Sequence, residues 1–84
     1  MSIQDDVGGL ETALLGLIPA YRSSIGNVDD MRVVGNAIEY HYGLYYGLGR
    51  QPQVVVDGRK WSYIVGFMQE EFYFTYNNVI KDKV

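Results

Sequence analysis

The amino-acid sequence predicts an α+β domain: two N-terminal helices packed on a small antiparallel β-sheet made of a hairpin and a C-terminal strand, with a C-terminal helix as the alternative for the last element. Two patterns carry this prediction. Apolar residues recur at three- and four-residue spacing through the first half of the chain. In the second half, Val54-Val55-Val56 is followed by Asp57-Gly58 and then by Trp61, Tyr63 and Val65 in alternation, the signature of a hairpin.

The first helix is expected from about Ile3 to Ile18. Val7, Leu10, Leu14, Leu17 and Tyr21 mark one helical face. Asp5 and Asp6 fall in the first turn, where carboxylates oppose the positive end of the helix dipole. Pro19 should stop or kink the helix, because its ring clashes with the carbonyl four residues back. Arg22 to Asn27 then reads as a loop.

A second helix is expected from Asp29 or Asp30 to about Gly47, with Asp29 as N-cap. Val34, Ile38, Tyr42 and Tyr45 form its buried stripe, and Tyr40 and Leu44 lie on the far side. A helix that is apolar over much of its circumference asks to be covered on more than one face, and so short a chain has few elements to do it. Glycines point the same way. Gly35, Glu39, Gly43 and Gly47 follow at four-residue spacing, as do Gly9, Ala13, Gly16 and Ala20 in the first helix. Rows of small residues permit close helix contact, and each interior glycine costs about 0.5–1 kcal/mol relative to alanine.

The hairpin strands are Val54 to Val56 and Lys60 to Val65, with Gly66 permitting a bend at the exit. From Phe67 onward, Met68, Phe72, Tyr76 and Val79 or Ile80 would make a helical face, whereas Phe72, Phe74 and Tyr76 would make a strand face. A third strand is preferred because a bare two-stranded hairpin is marginal. Lys81-Asp82-Lys83 reads as a frayed tail.

Tyr46-Gly47-Leu48, Pro52 and Val54-Val55-Val56-Asp57-Gly58 together resemble the helix-end, cis-proline and hairpin stretch of thioredoxin-like proteins. Gly66 and a following helix would complete their C-terminal half. The resemblance implies a cis Pro52 and a helical last segment. It implies no redox activity, since the chain has no CxxC, and residues before Asp29 offer no βαβ half.

At 84 residues the chain is a single small globular domain, residues 1–84. Its 48% hydrophobic and 20% charged residues, with two prolines, exclude a disordered chain. The absence of cysteine excludes disulfides, thiol catalysis and Cys-ligated metals. A net charge of −3 argues against broad binding to nucleic acid, which needs a basic surface. No run is long enough to span a bilayer and the start lacks a basic region before an apolar one, so a cytoplasmic protein without a membrane anchor is expected.

Catalytic constellations are missing from the pattern. His41, the lone histidine, has no HxxxE or HExxH partner, and no GxSxG surrounds Ser23, Ser24 or Ser62. Asp5/Asp6, Asp29/Asp30 and Glu70/Glu71 are adjacent pairs that point apart, and two of them sit where helix starts want them, which suits capping better than a cleft. GLYYGLG from Gly43 lacks the lysine and helix start of a phosphate loop. No metal site, cofactor or enzymatic activity is expected. Gly43, Tyr45, Tyr46, Arg50, Arg59, Lys60, Trp61 and Tyr63 form the candidate recognition surface, since Arg, Trp and Tyr dominate protein interfaces. These residues predict a non-enzymatic protein-interaction module, a homodimeric adaptor or an inhibitor of another protein. The alternative is an aromatic platform for single-stranded nucleic acid or a small ligand.

Overall fold

The structure, a computed structural model, describes residues 3–79. Helix α1 (Ile3–Ser24) and helix α2 (Val28–Gly49) form an antiparallel hairpin. A third rod follows: α3 (Gly58–Phe67), a π-helical turn (Met68–Phe72) and α4 (Tyr73–Val79). No strand occurs among the described residues, so the expected α+β architecture is replaced by an all-helical bundle. The expected tail at Lys81-Asp82-Lys83 lies outside the described residues.

The two N-terminal helices run longer than expected. Pro19 sits inside α1 and on its exposed side. On that side water can stand in for the missing amide, so the helix continues and buries Tyr21 and Ser24 beyond it. Asn27, not Asp29, caps α2: its Oδ1 accepts from the Asp30 amide at 3.1 Å. Asp29 and Asp30 fall in the first turn and still oppose the dipole. Gly26, in the short turn between the helices, takes the left-handed φ of 103° that other residues resist.

The expected hairpin is the largest correction. Asp57 Oδ1 accepts from the amides of Arg59 and Lys60, at 3.0 and 3.3 Å, making Asp57 the N-cap of α3. Aspartate suits both a tight turn and a helix start, and here the following residues decide. Ile64, Phe67 and Met68 continue from Trp61 at helical spacing, and all three are buried. Val54 to Val56 form a connection without regular structure, whose Val54 is buried and Val55 exposed. Pro52 is trans, as is every peptide bond among the described residues, against the geometry that the thioredoxin-like resemblance implies.

The π turn explains how the third rod keeps one buried face. In a straight α-helix, Phe72 would lie about 80° and Tyr76 about 120° around the axis from Ile64. The turn, closed by the Tyr73 amide on the Met68 carbonyl five residues back, holds one additional residue. That residue rotates Phe72 and Tyr76 back into line with Ile64 and Met68. The core then joins Val7, Leu14, Ile18 and Tyr21 of α1, Met31, Ile38 and Tyr45 of α2, and this row. Tyr21 meets Phe72 edge-on at 5.0 Å, and Phe72 stacks on Tyr76 at 4.9 Å. Tyr76 lies against Gly35, where a Cβ would overlap one edge of its ring. No helix among the described residues is long and apolar enough to cross a membrane.

Candidate interaction surface

The bundle sorts the predicted recognition residues into four places. Tyr45 is wholly buried. Its hydroxyl donates to Glu11 Oε2 at 3.0 Å, and the Asp57 amide donates to the same oxygen at 3.2 Å. One buried carboxylate thus ties α1, α2 and the start of α3 together. Burial first, and then the Glu11 hydrogen bond, push the Tyr45 phenol well above its ordinary pKa.

Tyr46, Arg50 and Trp61 come together beside this knot. The Tyr46 and Trp61 rings stack at 5.5 Å, and Trp61 also packs so tightly on Gly49 that no Cβ could fit there. Arg50 lies over the Tyr46 ring at 5.4 Å and donates to its hydroxyl at 2.8 Å. The faces that a base would stack on are therefore occupied from within the chain. Arg59 and Lys60 follow on the first turn of α3, and Arg59 is exposed.

Tyr63, two residues beyond Trp61, points to another side of α3. Arg22 donates to its hydroxyl at 3.2 Å and forms a bidentate pair with Glu71, at 2.8 and 3.0 Å. The same guanidinium lies 5.5 Å from the centre of the Phe67 ring. Ser62, Gly66 and Glu70 join these residues around a surface hollow of about 270 Å³. The ion pair is half in water and already satisfied, so it only ties the π turn to α1.

The outer face of α2 is different, because nothing among the described residues covers it. Val33, Tyr40 and Leu44 are 70%, 68% and 48% exposed. Gly43 and Gly47 lie beside them, and a Cβ at either would meet nothing within 4 Å. The four-residue glycine row does not act as one contact line: it drifts by about 40° per step around the helix. Gly35 therefore ends in the core and Gly47 in solvent. Val33, missing from the sequence-based set, was accessible through a seven-residue spacing: Val33, Tyr40 and Gly47 repeat like one position of a heptad.

No family model, curated protein or solved structure matches this chain.

Chemistry offers little at these surfaces. His41 Nδ1 lies 2.8 Å from the Ala37 carbonyl, which can only accept, so that nitrogen donates within its own helix. Among the described residues, no three His, Cys, Asp or Glu side chains gather as metal ligands would.

Proposed function

We propose that this chain is a small, non-enzymatic protein-interaction module of the cytoplasm, an adaptor or inhibitor that engages a protein partner through the outer face of α2. The observation that carries the reading is the uncovered row Val33, Tyr40 and Leu44, flanked by glycines open to solvent. Large apolar side chains aligned on one face lose free energy in water and regain it against a matching surface. The net charge of −3 and the occupied aromatic faces favour a protein over a nucleic acid as the partner.

The test compares the chain with a Tyr40→Glu, Leu44→Glu double variant. Both positions are exposed, so the variant should fold with an unchanged circular dichroism spectrum and melting temperature. It should lose at least about tenfold in affinity for any protein that binds the chain, another copy included. Unchanged association of the variant, in sedimentation and in affinity capture, would overturn the reading.

A further inference from the structure

We infer that the partner of the α2 face is a second copy of this chain, lying antiparallel to the first about a twofold axis at Tyr40. The inference rests on α2 being the interaction surface and adds what covers it. In this arrangement, residues equally distant from Tyr40 along the sequence lie at the same height across the contact. Val33 and Gly47 are each seven residues away, Ala37 and Gly43 three, Asn36 and Leu44 four. Around the helix Val33 and Gly47 lie only about 40° apart, so the valine of each copy meets the glycine of the other, and Tyr40 meets Tyr40. The open space above Gly43 and Gly47 is what allows the two backbones to approach. Within one chain those glycines weaken the helix and receive nothing.

Charge selects the direction. The first turn of α2 carries Asp29 and Asp30, its C-cap is Arg50, and the sequence has no acidic residue between Glu39 and Asp57. An antiparallel pair sets the acidic end of each copy level with Arg50 of the other and opposes the two helix dipoles. A parallel pair would set Asp29 and Asp30 against themselves and Arg50 against Arg50. The antiparallel contact uses the same patch on both copies, so it closes at two and leaves no uncovered row.

The cysteine-free chain makes the arrangement directly testable by introduced thiols. Under mild oxidation, Tyr40→Cys should cross-link to itself, and a mixture of Val33→Cys and Gly47→Cys should give a mixed disulfide. Val33→Cys alone should stay uncrosslinked, because its two copies would lie about 21 Å apart along the axis, far beyond the roughly 7 Å Cα separation a disulfide allows. Self-cross-linking of Val33→Cys would overturn the antiparallel direction. A Val33→Cys disulfide with Gly43→Cys in place of Gly47→Cys would overturn the centring on Tyr40. If sedimentation equilibrium finds only monomer across the concentration range, the second copy is excluded. The proposed interaction module would then stand or fall separately, on capture of a different protein that the Tyr40→Glu, Leu44→Glu variant fails to hold.

Discussion

Two buried tyrosines offer a paired test of how this small core is held. The hydroxyl of Tyr45 donates to Glu11, whose other described partner is the Asp57 amide. Tyr45→Phe keeps the ring and removes the donor, leaving a buried carboxylate short of one hydrogen bond. Such a loss costs about 2 kcal/mol, and for a domain of this size that lowers Tm by roughly 8–15 °C. Tyr21 is equally buried, but its hydroxyl has no hydrogen-bond partner among the described residues. Tyr21→Phe therefore deletes a polar group that is desolvated without return, and Tm should hold or rise by a few degrees. Thermal and urea unfolding followed by circular dichroism would measure both variants under one condition. Equal shifts in the two, or a Tm loss of many degrees in Tyr21→Phe alone, would refute the account of the Glu11 knot.

Two further predictions follow from packing and from titration. Gly35→Ala forces a methyl into the Tyr76 ring and should destabilise by about 1–3 kcal/mol, whereas Gly16→Ala, with open space around it, should stabilise by about 0.5–1 kcal/mol; denaturant midpoints moving in the same direction would contradict this. Burial, aided by neighbouring acidic or phenolic groups, pushes the Tyr21 and Tyr42 phenols up to about 12. Unfolded phenols ionise near pH 10, so these groups support the fold fully below that pH. Their support drains away between about pH 10 and 12, at about 1.4 kcal/mol per pH unit for each phenol. Urea midpoints measured from pH 8 to 11.5 should stay level and then fall, and a flat profile would count against buried phenols.

The first two helices were legible because their apolar residues keep the helical period over five turns, and the stripe Val34, Ile38, Tyr42 and Tyr45 faces the core as that period requires. The third was misread for two physical reasons. Asp57-Gly58 serves a hairpin turn and a helix start equally well, and Trp61, Tyr63 and Val65 alternate over too short a span to decide. The π turn then stretches the buried spacing to Ile64, Met68, Phe72 and Tyr76, four residues each time, which fits no straight helix. Trp61, Tyr46 and Arg50, grouped in the sequence as a recognition surface, pack on one another within the chain. Glu11 was invisible as a structural residue: in the sequence it only interrupts an apolar run, and its partners lie 34 and 46 residues away.

The surplus residue in the π turn bears on how the chain could change in length. Every other position along the third rod is locked into phase with the core: losing one residue there would swing all that follows by about 100°. At Gln69 or Glu70 the same loss would only convert the π turn into ordinary α-helix. Ile64, Met68, Phe72 and Tyr76 would stay in one row, Glu71 would still face Arg22, and Tyr76 would still rest on Gly35. The rod thus carries a spare link at its middle, one place where a shorter chain and the present one specify the same bundle.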